Sequence, residues 1–161
     1  MPTFTARSRP SSTSPRPGPD GPLVLAGGIT DGASLRAALT LGVDLAYLGT
    51  RFLATAESLA APEHKQMITA TTLDDIVQTA ALTGLPANML TPSFHNLGLD
   101  PAVLHDPAAD LTEMFAQVGT VSPWRNLYSA GHSVSGIHDI PTVAQLVERL
   151  HKDFHDTTEI R

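Results

Sequence analysis

Two short apolar runs, each ending in small residues and separated by one amphipathic stretch, constrain this chain more than anything else in it. Leu23-Val24-Leu25-Ala26 runs into Gly27-Gly28, and the run from Val43 to Leu48 goes straight into Gly49-Thr50. Between them Asp31 stands where a helix N-cap belongs. Leu35, Ala38 and Leu39 keep i, i+3, i+4 spacing, and Gly42 suits the position after a helix, where φ is often positive. Strand, helix, strand over so few residues is a βαβ crossover, and such crossovers build parallel sheets. The pattern predicts an α/β fold with a buried strand ending at Ala26 and a second ending at Leu48.

The two glycine sites sit just past the C-terminal ends of their strands, the edge where parallel α/β folds bind ligands. A residue without Cβ lets backbone N–H groups approach an anion, and a following helix N-terminus adds partial positive charge. Gly27, Gly28, Gly49 and Thr50 therefore read as a divided phosphate cradle, with the Thr50 hydroxyl as a donor and Arg51 as a cation. The plainer reading is that these glycines only permit tight turns. Matched placement at two strand ends joined by one crossover favours the cradle.

Composition narrows the remaining classes. The chain has 161 residues and a formal charge of −6, which argues against a broad grip on nucleic acid. It has no Cys, which removes disulfide scaffolds, thiolate metal sites and Cys nucleophiles. No apolar run reaches the roughly 18 residues a membrane helix needs. Residues 1–21 hold five prolines and four serines, with Arg7, Arg9 and Arg16 set against Asp20, and read as a disordered tail. No apolar segment follows those arginines as in a secretory signal, so a cytoplasmic protein is expected. Residues 22–161 read as the folded part.

Further along, a helix is expected from Glu57 to Thr69. Leu73, Ile76, Val77, Ala80 and Ala81 keep helical spacing and predict another, closed by Thr83-Gly84. From Leu85 to Asn126 the prolines predict an irregular excursion ending at Trp124, a length more often functional than inert. Ser129 to Ser135 reads as a small-residue loop. Asp139 is expected to cap a last helix whose apolar face is Val143, Leu146, Val147, Leu150 and Phe154.

Residues 22–153 resemble the C-terminal part of the nitronate monooxygenases, formerly called 2-nitropropane dioxygenases. The likeness runs through Ala26-Gly27-Gly28-Ile29, Leu41-Gly42, Leu48-Gly49-Thr50-Arg51-Phe52-Leu53-Ala54-Thr55 and Asp75-Ile76-Val77. It continues through Leu82-Thr83-Gly84, Leu97-Gly98-Leu99-Asp100-Pro101, Trp124-Arg125-Asn126 and Ser129-Ala130-Gly131. The resemblance implies an FMN-binding (β/α)8 TIM barrel, of which this chain would supply the last two β/α units plus the C-terminal excursion. It implies that Gly27, Gly28, Gly49 and Thr50 hold the FMN phosphate. It also implies oxidation of nitronates or nitroalkanes with oxygen. The family's catalytic His lies in an upstream Glu-Ala-Gly-Gly-His type of loop that residues 1–21 do not match. No catalytic residue is therefore assigned, and a truncated enzyme is expected. Where the family has Ala-Gly-Gln, this chain has Ala130-Gly131-His132, which makes His132 the one substitute candidate.

The other readings are a non-catalytic remnant keeping a phosphate-binding half-site, and a different phosphate-binding barrel. The latter would resemble inosine monophosphate dehydrogenase or a flavin enoyl reductase; Leu97 to Pro101 and the Trp124 segment argue against it. His151 and His155 have metal-compatible i, i+4 spacing but no third ligand, and no metal site is expected. His64, His95 and His105 receive no chemistry, and His138 is placed with His132 near the flavin. Two parallel strands with open edges predict a marginally stable chain that self-associates.

Overall fold

The computed structural model describes residues 21–82, 84–105 and 125–156. The tail, Thr83, residues 106–124 of the excursion with Trp124, and the His105 side chain lie outside the described residues.

The crossover forms as expected. β1 (Val24–Ala26), α1 (Gly32–Thr40) and β2 (Leu45–Tyr47) follow one another, and β1 pairs with β2 in parallel, Val24 with Leu45 and Ala26 with Tyr47. Asp31 caps α1 by accepting the Ser34 N–H at 2.7 Å, while the Ser34 hydroxyl accepts the Asp31 N–H. Gly42 follows with φ +98°, the left-handed turn a glycine enters without a Cβ penalty. Ile29, Leu35 and Ala38 form a small core, closed by Ala46 and Leu48 on one side and Phe154 on the other. One expectation fails here. The first strand is exposed, with Leu23 and Val24 both at 49% and Leu25 at 38%. A parallel strand is buried only where both faces are covered, and β2 is the one strand that pairs with β1 among the described residues.

Further corrections concern the middle and end of the chain. The helix expected from Glu57 begins at Pro62: α2 (Thr50–Leu53) is one turn, and α3 (Pro62–Ala70) starts where Pro62 occupies the first helical position. The helix expected over Leu73 to Ala81 is a single 3₁₀ turn, Leu73–Asp75, followed by a strand, β3 (Ile76–Thr79). Val77 and Thr79 are buried and Gln78 between them is exposed, which is strand alternation. The β-branched Ile76, Val77 and Thr79 suit it. The partner of β3 lies inside the stretch read as irregular. It is β4 (Ala87–Leu90), antiparallel, with Ile76 opposite Leu90 and Thr79 opposite Ala87. α4 (Thr91–His95) and a 3₁₀ turn at Pro101–His105 continue that stretch.

The loop expected from Ser129 is partly ordered against β4. Leu90 N–H donates to Tyr128 O at 2.9 Å, Met89 bridges to Ser129, and Ala130 N–H donates to Asn88 O at 3.3 Å. A 3₁₀ turn at His132–Gly136 follows, and then α5 (Val143–Asp156). Asp139 does not cap α5. Thr142 and Gln145 do so reciprocally, Thr142 N–H to Gln145 Oε1 at 3.0 Å and Gln145 N–H to Thr142 Oγ1 at 3.2 Å. Glu57 adds a carboxylate to the Val143 N–H at 2.9 Å, a favourable charge at a helix N-terminus. The expected apolar face is present, with Leu146 and Leu150 buried.

The hairpin is flanked by two cores. Leu90, Ala54, Ile68, Val134 and Ile137 form one. Val77, Met89, Phe94, Leu99, Leu104 and Leu127 form the other. The described residues are thus α/β, in two separate two-stranded sheets with no closed barrel. No helix among them is long and apolar enough to cross a membrane.

Candidate functional site

The parallel register brings Gly27-Gly28 and Gly49-Thr50 out at the same end of the β1–β2 pair. Gly27 and Gly28 have φ of +90° and +69°, so only residues without a Cβ adopt these turns freely. A Cβ placed on Gly27, Gly28 or Gly49 would meet nothing within 4 Å. The backbone at all three therefore faces open space. Gly49 stands at the N-cap of the one-turn α2, and its carbonyl accepts the Phe52 and Leu53 N–H groups.

Gly49 and Thr50 line an open cleft of about 750 Å³. Leu48, Phe52 and Leu53 line it from the β2–α2 segment, and Ala87, Asn88 and residues 129–131 form a second wall from β4 and the segment bonded to it. Glu57 also lines it, with its carboxylate committed to the Val143 N–H. Gly27 and Gly28 lie at the neighbouring strand end and are not in this lining. The structure thus brings two of the four cradle residues into the cleft and holds the other two beside it.

Thr50 joins the two walls. It is 8% exposed, and its Oγ1 accepts the Gly131 N–H at 2.8 Å. A Cβ on Gly131 would stand 3.1 Å from that oxygen, so the walls meet closely there. Arg51 is not the cation the sequence suggested for the cradle. It is 3% exposed, with Nη2 2.6 Å from Asp139 Oδ1 and Nη1 donating to the carbonyls of Asp139 and Ala54. Burial pulls its guanidinium below the ordinary value, against the opposing pull of Asp139. Burial pushes the Asp139 carboxyl up, but Arg149 at 2.7 Å and Arg51 outweigh it and hold the group below its ordinary value.

The histidines separate. His132 is exposed at the edge of the second wall, its Nε2 3.5 Å from Asn88 Nδ2. His138 lines a different cavity of about 270 Å³ together with Arg51, Asp139 and Arg149. Of the two histidines expected near one flavin, His138 thus lines a second cavity, and His132 is in the lining of neither. His151 and His155 are exposed with ring centroids 4.5 Å apart, and no group of three potential metal ligands exists among the described residues. His64, to which the sequence assigned nothing, has its Nε2 2.9 Å from Ser129 O and stacks on Tyr128. Burial lowers its pKa, against the opposing effect of the Ser129 carbonyl. No sequence signal connects His64 to a partner 65 positions away.

This arrangement can hold an anion against backbone at a sheet end and an apolar ring in the adjoining cleft. The family model described as nitronate monooxygenase matches residues 19–153. A nitronate monooxygenase of Paraburkholderia phytofirmans is 39% identical over 80 residues, which are 50% of this chain and 22% of that protein. Among solved structures, a nitroalkane oxidase from Streptomyces ansochromogenes aligns with TM-score 0.62 and 31% identity, over 85% of this chain and 40% of that one. FabK from Thermotoga maritima aligns with TM-score 0.63 and 30% identity, over 86% and 45%. The chain thus spans less than half the length of each of these relatives. With the match running from the crossover through α5, the chain belongs to the nitronate monooxygenase family.

Proposed function

We propose that this chain forms the phosphate-holding side of an FMN-dependent enzyme that oxidises nitronates or nitroalkanes with oxygen, as the last two β/α units of a (β/α)8 barrel. The observation that carries this is the meeting of Gly27-Gly28 and Gly49-Thr50 at one sheet end, where a Cβ would meet nothing within 4 Å. That geometry fits an anion approached by backbone N–H groups. The mainly apolar cleft beside it fits a flat ring. Bound FMN would supply the electron acceptor and the reaction with oxygen.

The chain's own residues bind and orient. The Thr50 hydroxyl accepts from Gly131, which leaves its own hydrogen to donate to a ligand oxygen. Leu48, Phe52 and Ala130 keep water from the ring. Removal of a proton from a nitroalkane needs a base in reach of the carbon, typically about 10²–10⁴-fold in rate. No residue is assigned that task here. His132 is the substitute candidate, and its exposure speaks against it.

Quenching of FMN fluorescence tests the cradle. Gly28→Val should weaken FMN binding, because it places a branched side chain at φ +69° in the anion's path. Equal affinity in the variant would remove Gly28 from the site. A second reading, a phosphate-binding fragment without turnover that self-associates through its sheet edges, is favoured by the 49% exposure of Val24. Oxygen uptake with FMN and a nitronate separates the two. A rate no greater than with free FMN supports the fragment. A greater rate that falls on His132→Ala would make His132 the catalytic group.

A further inference from the structure

Residues 129–131 line the cleft, yet the β4 ladder fixes only part of them, through the Met89–Ser129 bridge and the Ala130 N–H to Asn88. Two side chains from elsewhere in the fold complete the attachment. Thr50 Oγ1 accepts the Gly131 N–H, and His64 Nε2 reaches Ser129 O at 2.9 Å. A carbonyl oxygen only accepts, so Nε2 carries the hydrogen and donates it. The His64 ring is itself held in place. It projects from α3, whose Met67 and Ile68 are buried, and it lies flat on Tyr128 with centroids 4.6 Å apart and planes 6° from parallel. One face is thus packed on the residue preceding the one whose carbonyl its edge engages.

We propose that His64 is a positioning residue for the cleft: its Nε2–H fixes Ser129 and thereby keeps Gly131 within reach of Thr50. The inference deepens the cofactor reading of the same cleft, but the wall is held whether or not a ligand is bound. A half-buried histidine that merely fills space would behave differently. Any aromatic ring would replace it, and loss of the N–H would leave Gly131 undisturbed.

The test uses the full 161-residue chain. His64→Phe keeps a ring over Tyr128 without the donor, and His64→Gln keeps a side-chain N–H donor without the ring. Amide hydrogen exchange at Gly131 should quicken about 5-fold in His64→Phe, roughly what one neutral hydrogen bond is worth, and return toward the parent rate in His64→Gln. Amides of Leu35 and Ala38 in α1 should not change. FMN affinity, read by fluorescence quenching, should fall and recover in the same order. Equal Gly131 exchange in parent and His64→Phe, or no recovery in His64→Gln, overturns the proposal. Imidazole ¹⁵N shifts of the parent decide it without any variant: a ring protonated on Nδ1 alone would sink it. Failure of FMN to bind the parent would instead sink the cofactor reading, with the exchange and tautomer results still deciding His64.

Discussion

The two strand pairs treat the same kind of residue in opposite ways. Val24 and Leu25 in β1 are 49% and 38% exposed, whereas Val77 is 3% exposed and Met89 and Leu90 are fully buried in the hairpin. The hairpin carries its cover with it. α3 and the segment from Ala130 to Ile137 pack on one side, α4 and the turn at Pro101–His105 on the other. Among the described residues β1 pairs with β2 alone, and α1 shields mainly the β2 side. Apolar content alone does not bury a strand; a parallel pair needs both layers.

The largest effect should come from the self-sufficient side. Phe94→Ala opens a hole in the hairpin core and should cost about 4 kcal/mol in urea unfolding. A loss of less than about 1 kcal/mol would mean that the hairpin is not the anchor. Next comes the joint between α1 and α5. A Cβ on Gly32 would collide with Phe154 N and Leu150 O and lie 2.7 Å from the Asp153 carbonyl carbon. Gly32→Ala should therefore cost about 2 kcal/mol despite alanine's better helix propensity. Its exchange signature should be loss of protection in α1 with the hairpin amides unchanged. Stabilisation would show that the helices approach less closely.

A smaller effect is expected from acid. The His64 pKa is lowered, so the neutral ring is favoured in the fold. That contribution is fully present above the unfolded value of about 6.5 and is lost as pH falls through the folded value. Asp139 is also lowered, and its contribution disappears further down, as pH falls through the carboxylate range. Melting temperatures followed from pH 8 down to about pH 2 should therefore decline in two stages, the second beginning only below the ordinary aspartate value of 3.8. His64→Gln should remove the upper stage and Asp139→Asn the lower; an unchanged profile in both would refute the assignment. The smallest change in stability belongs to β1. Leu25→Thr should alter unfolding by less than about 0.5 kcal/mol while reducing concentration-dependent association in sedimentation. A chain that is monomeric at every concentration would remove the need for a partner at that face.

The same contrast governs what the sequence made legible. The crossover was readable because apolar runs, cap and glycines stand in order within one local stretch. β3 was not, since Leu73, Ile76, Val77, Ala80 and Ala81 satisfy a helical period over too few residues, and the pairing with β4 that decides the matter is non-local. Thr142 and Gln145 carry a legible capping-box spacing three residues beyond Asp139. Asp139 itself is explained by Arg51, 88 positions away. Of the site, Gly49 and Thr50 were legible as a motif and do line a cleft. The Thr50–Gly131 and His64–Ser129 contacts were not, because they span 81 and 65 positions and no short pattern encodes them.

The α1–α5 joint also sets an order of events during synthesis. Arg36 donates to Phe154 O at 2.9 Å across 118 positions, and its guanidinium lies 5.4 Å from the Phe154 ring centre. Contacts this remote close late, because the loop entropy must be met first. While the ribosome is still translating toward Phe154, the crossover has emerged with its small core lacking the cover that Phe154 supplies. For that interval the nascent chain adds the bare side of α1 to the already exposed β1, the form of exposure that chaperones bind. Residue 154 has to be made before residue 32 can settle.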